Sequence, residues 1–130
     1  MIVTDASVIL ELLLRTPASQ TVEDRLFDSG ETLHAPHLLD VEIAQVLRRY
    51  AARGEVSSAR GRLALELLLR FPITRYAHEA LLPRIWALRT NLTAYDAAYI
   101  ALAEALGATL VTRDKRLSTA AGARAKIELV

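Results

Sequence analysis

Short apolar runs alternate with longer stretches of helical periodicity along this chain, and that alternation predicts its architecture. Residues 1–5 read as a buried strand, because Ile2, Val3 and Thr4 form an unbroken β-favouring run. Residues 7–14 read as a helix starting near Ser7, and Thr16-Pro17 breaks it. A second helix over 18–28 ends at Ser29-Gly30. Thr32-Leu33-His34-Ala35 is a short strand closed by Pro36, and a helix over 38–52 stops at Arg53-Gly54. Ser57 or Ser58 caps a leucine-rich helix that reaches Arg70. Pro72-Ile73-Thr74 is the third strand. Helices follow at 76–89 and 94–106, the latter ended by Gly107. Residues 109–112 form a strand, 114–120 a short helix and 126–130 a last strand. Strands alternating with helices predict an α/β fold with a parallel sheet and helices on both faces. No repeat, linker or low-complexity stretch divides the chain, so one domain over 1–130 is expected.

This frame gives four acids a common address. Asp5 ends the first strand, and Asp114 follows Thr109-Leu110-Val111-Thr112. Asp96 and Glu42 lie near the starts of two helices. In a parallel sheet, strand C-ends and helix N-ends share one edge, where ligands bind. Each acid also has a plain structural role to set against a catalytic one. Asp5 and Asp114 each precede a helix and suit an N-cap. Thr93-x-x-Asp96 is close to a capping box, in which Thr93 caps and Asp96 answers from the first turn. Glu42 borders the apolar face made by Leu39, Ile43, Val46 and Leu47, so it calls for a partner, either Arg49 or a metal. Asp40, nearby, reads as a first-turn capping residue. Two carboxylates about 5 Å apart repel by roughly 3 kcal/mol at an effective dielectric of 20. A true cluster therefore implies a cation, and an all-carboxylate site suits Mg2+ or Mn2+. Such sites serve phosphodiester and phosphoryl-transfer chemistry.

Composition narrows the rest. Cysteine is absent, which removes disulfides, thiolate zinc sites and thiol nucleophiles, and fits a reducing cytoplasm. The opening Met1-Ile2-Val3-Thr4-Asp5 has no basic leader, so no signal peptide is expected, and no apolar run is long enough for a membrane span. The net charge of +1 does not by itself announce a nucleic-acid binder. The cations are nearly all Arg, which grips phosphate bidentately. Arg113, Lys115 and Arg116 surround Asp114 and are candidate RNA contacts, as are Arg48, Arg49 and Arg53 at a helix end. The histidines His34, His37 and His78 make no zinc spacing. His34 and His37 flank Pro36 and could lie near the site, although structural roles are favoured. The glycines form no phosphate-cradling loop, so no nucleotide cofactor is expected.

With these residues laid out, the chain resembles a PIN-domain protein of the VapC-toxin type. The resemblance is carried by Ile2-Val3-Thr4-Asp5-Ala6-Ser7 and by Ala35-Pro36-His37-Leu38-Leu39-Asp40-Val41-Glu42. It is most specific in Thr93-Ala94-Tyr95-Asp96-Ala97-Ala98-Tyr99 together with Leu110-Val111-Thr112-Arg113-Asp114-Lys115-Arg116-Leu117. It implies a sheet of about five parallel strands and an Mg2+- or Mn2+-dependent endoribonuclease. Asp5, Glu42, Asp96 and Asp114 would be its metal-binding acids, Thr112 the supporting hydroxyl and Ser7 a helper. It further implies structured RNA such as tRNA or rRNA as substrate, a homodimer, and neutralisation by a VapB-like antitoxin. The apolar residues between Leu63 and Leu69 nearly surround their helix, which suggests a surface covered by antitoxin or a second subunit.

Two other readings are weighed. A receiver-type signalling domain also places acids at strand ends. It would need an adjacent acidic pair after the first strand, where Asp5 is followed by Ala6, and a Lys ending a late strand, where Lys126 begins one. A PIN-like binding module without catalysis would keep the acids for stability alone.

Overall fold

A strand of only three residues, β1 (Ile2–Thr4), lies at the centre of this fold. The computed structural model describes residues 1–28 and 30–130. Ser29, expected with Gly30 to end the second helix, lies outside the described residues. After β1 come α1 (Ala6–Leu13), α2 (Ser19–Phe27), β2 (Leu33–Pro36), α3 (Leu38–Ala52), α4 (Ser58–Arg70) and β3 (Ile73–Tyr76). A single 3-10 turn (Glu79–Leu81) leads into α5 (Leu82–Ala87), α6 (Ala94–Leu106), β4 (Thr109–Thr112), α7 (Lys115–Ser118) and β5 (Ile127–Leu129).

The five strands are all parallel and run in the order β3-β2-β1-β4-β5. The chain steps outward from β1 through β2 to β3. It then crosses back over the sheet to β4 and β5. Right-handed crossovers in opposite directions put their helices on opposite faces. The contacts follow that rule: α1 packs on α2, α3 and α4, whereas α5 packs on α6 and α6 lies across β1, β2 and β4. The direction of strand order reverses between β1 and β4, so the crevice beyond their carboxyl ends is the switch point of the sheet.

Burial explains the strand sequences. Ile2, Val3, Leu110 and Val111 are fully buried, as expected for strands covered on both faces. The α6 helix is unusual in having Ala97 to Ala103 buried without a break. Its alanines let the helix lie close to the sheet. Thr93 caps its start, and Gly107 ends it in the left-handed conformation at φ 62°, which a side chain would strain. The ion pair of Arg25 with Glu128 ties α2 to the edge strand β5. On α4, Leu63 and Leu69 are exposed while Ala64 and Leu68 enter the core, so the partly unpartnered face expected there is present.

The main departure from expectation lies between 76 and 89. One helix was expected there. Instead β3 continues to Tyr76, and helical structure starts with the 3-10 turn and resumes at α5. Pro83 sits in the first turn of α5. It lacks an N–H and clashes with the preceding turn, so a continuous helix cannot pass through it, whereas a new one can begin there. Pro36 is the last residue of β2 rather than its stop. It pairs with Tyr76, beyond the last β1 partner of β2, so its missing donor costs no ladder bond to β1.

One local defect gives a test. The Thr4 hydroxyl is the only buried side-chain polar atom among the described residues without a hydrogen-bond partner. An orphaned hydroxyl costs on the order of 1 kcal/mol. Thr4→Val should therefore leave stability unchanged or raise it by about 1 kcal/mol, read from the urea midpoint at constant slope. A clear loss would mean that the hydroxyl is satisfied in solution.

Candidate functional site

Asp5 leaves the carboxyl end of β1 and is almost entirely buried. It does cap α1, accepting from the Val8 N–H at 3.3 Å, but that bond takes a small part of its capacity. Its Oδ1 also accepts from the Ser7 hydroxyl at 2.5 Å, and its Oδ2 accepts from Thr112 Oγ1 at 2.5 Å. The two hydroxyls are themselves fixed. Ser7 Oγ accepts from the Arg113 N–H at 3.0 Å, and Thr112 Oγ1 accepts from the Asp114 N–H at 3.0 Å. One carboxylate thus stitches the end of β1 to the end of β4. Burial pushes the Asp5 carboxyl above its ordinary range, and the hydrogen bonds from Ser7, Thr112 and Val8 only partly offset it.

Glu42 is half-buried on α3. Its Oε1 accepts from the Tyr99 hydroxyl of α6 at 2.5 Å. Tyr99 is the partner that its position called for, in place of the Arg49 suggested by helical spacing. Burial raises the Glu42 pKa first, and the charges of Asp5 and Asp96 raise it further against the Tyr99 hydrogen bond. Tyr99, buried among these acids, has its own pKa pushed far up, so the hydroxyl keeps its proton. Asp96 stands in the first turn of α6, whose cap Thr93 accepts from the Asp96 N–H at 3.1 Å. Burial and the neighbouring Asp114 charge raise its pKa, while Arg116 lowers it. Asp114 caps α7, accepting from the Arg116 N–H at 2.9 Å. Partial burial opposes its charge, but the Arg116 side chain and the Arg116 and Leu117 N–H groups outweigh that and hold its pKa low.

The four acids expected from the sequence are therefore at one sheet edge, where Glu42 feels the charges of Asp5 and Asp96, and Asp96 that of Asp114. Each of Asp5, Asp96 and Asp114 also fills the capping position considered for it. Among the described residues no three Asp, Glu or His side chains converge tightly enough to ligate a single ion. Carboxylates of like charge spread apart, and Asp114 is turned onto Arg116 at 3.3 Å. The donor set itself consists of hard oxygens with excess negative charge, which suits Mg2+ or Mn2+.

Other candidates fall outside this centre. His34 is buried, with Nε2 on Thr32 Oγ1 and Nδ1 on Tyr76 Oη, both at 2.7 Å, so its ring is committed to the core. His37 meets the edge of His78, whose Nε2 accepts from the Leu38 N–H at the start of α3. Asp40 is held bidentately by Arg75 at 2.7 and 3.0 Å and is already neutralised. Of the three cations around Asp114, Arg113 is taken up by Glu11 and the Val130 carbonyl, leaving Lys115 and Arg116. Sequence reasoning missed Tyr99 as a member of the site. The available signal was a hydroxyl one turn beyond Asp96 on an otherwise apolar buried helix.

The PIN domain model matches residues 2–123. The chain belongs to the PIN-domain family. Within that family it is 48% identical to Ribonuclease VapC9 of Mycobacterium tuberculosis, over all of this chain and 98% of the relative. It is 42% identical to Ribonuclease VapC12 of the same species, over all of this chain and 99% of the relative. Among solved structures, VapBC2 from Rickettsia felis bound to a promoter DNA fragment matches with a TM-score of 0.71 at 16% identity, covering 98% of both chains. The sarcin–ricin-loop-cleaving toxin VapC20 of Mycobacterium tuberculosis matches with a TM-score of 0.70 at 16% identity, covering 91% of this chain and 93% of the other. At such identities the likeness concerns the fold, and the fold of this PIN-domain protein is accordingly the five-stranded parallel sheet expected. Among the described residues no helix is long and apolar enough to cross a membrane.

The raised pKa of Glu42 makes a stability statement. A carboxyl whose folded pKa lies above its unfolded one stabilises fully only below the ordinary carboxylate range, and loses that contribution as pH rises through the folded value. Ionised Glu42 therefore costs stability at pH 7. Glu42→Gln keeps an oxygen for the Tyr99 hydroxyl and removes the charge. It should gain about 1 kcal/mol at pH 7, the scale of carboxylate repulsion at high dielectric, with the gain shrinking toward pH 4. Urea titrations of both proteins at the two pH values check this. A less stable variant at pH 7 would mean that the carboxylate is not electrostatically frustrated.

Proposed function

We propose that this protein is an endoribonuclease of the VapC type that hydrolyses RNA phosphodiester bonds with Mg2+ or Mn2+, and that a VapB-like antitoxin neutralises it. The observation that carries this reading is the placement of Asp5, Glu42, Asp96 and Asp114 at the carboxyl edge of the sheet, where Asp5 and Asp96 raise the pKa of Glu42 and Asp114 raises that of Asp96. The family relatives named ribonucleases support the same activity. A receiver-type domain is disfavoured by the family and by the hydroxyl of Ser7, rather than a second acid, beside Asp5.

The divisions of labour follow from the geometry. A bound divalent cation supplies a lowered pKa for water and a counter-charge for the phosphate. Asp5 would be the fixed ligand, because Ser7 of α1 and Thr112 of β4 hold both of its oxygens in place. Asp96 and Asp114 would complete the donor set. Glu42 presents Oε2, since Tyr99 takes Oε1, and its raised pKa suits it to receive a proton from water at that atom. No covalent enzyme intermediate is needed. Lys115 and Arg116, at the start of α7 beside Asp114, would contact RNA phosphates next to the scissile one. Structured RNA as substrate, a homodimeric state and an antitoxin lying over the cleft belong to the same proposal. VapBC2 of Rickettsia felis, by its name a VapB–VapC assembly, supports the antitoxin.

Incubating purified protein with total cellular RNA and Mn2+ should give discrete fragments. They should vanish with EDTA and in Asp96→Asn. Asp5→Asn should also fall by at least about a hundred-fold, while circular dichroism shows the fold kept. Folded protein that binds Mn2+ yet never cleaves RNA would favour the binding-only module instead. A second readout is thermal: Mn2+ at a hundred times its Kd should stabilise wild type by about 2.7 kcal/mol. An unshifted melting curve would remove the cation from the reading.

A further inference from the structure

Among the described residues, Arg116 is the cation whose side chain pairs with one of the four acids. Its Nη2 lies 3.3 Å from Asp114 Oδ2 and its Nε 3.5 Å from Oδ1. The acid is mostly covered and the base is not: relative side-chain exposure is 28% for Asp114 and 89% for Arg116. Asp96 also senses the guanidinium, and Arg116 and Asp96 border a common cavity of about 350 Å3 with Asn91, Thr93 and Thr119. The neighbouring Arg113 has fixed partners in Glu11 and the Val130 carbonyl. Among the described residues, Arg116 is the arginine hydrogen-bonded to one of the four acids, and it is open to solvent.

We propose that Arg116 is a resident counter-ion of the acid cluster, which a divalent cation must displace from Asp114, and which then projects into the adjoining cavity toward the RNA backbone. The proposal rests on the reading of the acids as a cation site. Charge balance requires a choice. With Arg116 on Asp114, one carboxylate is ion-paired, and among the described residues no three acids stand close enough to ligate one ion. A divalent cation at the acids repels the guanidinium and competes for the same oxygens. The pair is cheap to break, because an exposed ion pair is weak and screened. The released guanidinium does not need to travel far, since it already borders the cavity beside Asp96. Arg116 thus acts as a positioning residue that holds the site together between loadings and sets a threshold for cation binding.

The test is calorimetric titration of Mn2+ alone into wild type, Arg116→Ala, Arg116→Lys and Lys115→Ala. Arg116→Ala should bind Mn2+ about three- to ten-fold more tightly than wild type, the scale set by one exposed ion pair plus relief of charge repulsion. Arg116→Lys, keeping the charge without the fork, should fall between them, and Lys115→Ala should change less than Arg116→Ala. The gap between Arg116→Ala and wild type should close as NaCl rises from about 0.05 to about 1 M, where the screening length shrinks to about 3 Å. Unchanged or weaker Mn2+ binding by Arg116→Ala, with wild type binding normally, overturns the counter-ion role and leaves the cation site standing. Absence of Mn2+ binding in all four proteins overturns both.

Discussion

A single buried carboxylate, that of Asp5, joins the architecture to the chemistry. It sits where the central strand ends, at the only place in the sheet where neighbouring strands lead away in opposite directions. The ladder between β1 and β4 ends at Thr4 and Val111, and side chains must hold the two segments together beyond it. The Ser7 and Thr112 hydroxyls do this through Asp5, and their own oxygens accept from the backbone of the β4–α7 turn. That turn carries Asp114. The position of the fourth acid is thus set by the first.

The same arrangement creates an electrostatic debt. Parallel strands deliver all their carboxyl ends to one edge, so acids useful for catalysis accumulate where they repel. Local structure offsets part of this. Helix N-termini favour negative charge, and Asp96 and Asp114 sit in or before a first helical turn. Hydroxyl donors offset more, at Asp5 and Glu42. Capping and metal binding are therefore not competing explanations of these residues. The cap fixes where the carboxylate stands, and the excess charge that remains is what a cation would answer.

Much of this was legible in the sequence because parallel α/β folds tie chemistry to punctuation. An apolar run followed by Asp, or a Thr-x-x-Asp before an apolar helix, gives an element boundary, and Asp5, Asp96 and Asp114 stand at the helix starts where that logic put them. What could not be read depends on pairing across the sheet. Asp40 looks like Glu42 in sequence, two residues away on the same helix, and only the approach of Arg75 from β3 neutralises one and not the other. His34 and Tyr76 meet because β2 and β3 are adjacent, a register that no local pattern states. The break near Pro83 was different. Its signal was present in the chain, and the apolar periodicity of 76–89 concealed it.

Tyr99 shows how a core position can become a site position without changing its packing. Phe would fill the same space between α6 and the sheet, and α6 is otherwise Ala, Ile and Leu across its buried run. A buried phenol is tolerated only when its hydroxyl finds an acceptor. Here the acceptor is a carboxylate whose own burial is unfavourable, so each group offsets part of the penalty of the other. The bond links α6 on one face of the sheet to α3 on the other, across the mouth of the crevice. Glu42 is consequently held by the core rather than by the surface, and one of its oxygens is left for the cluster. The acid with the least helix-end support is thereby anchored from the buried helix across the crevice.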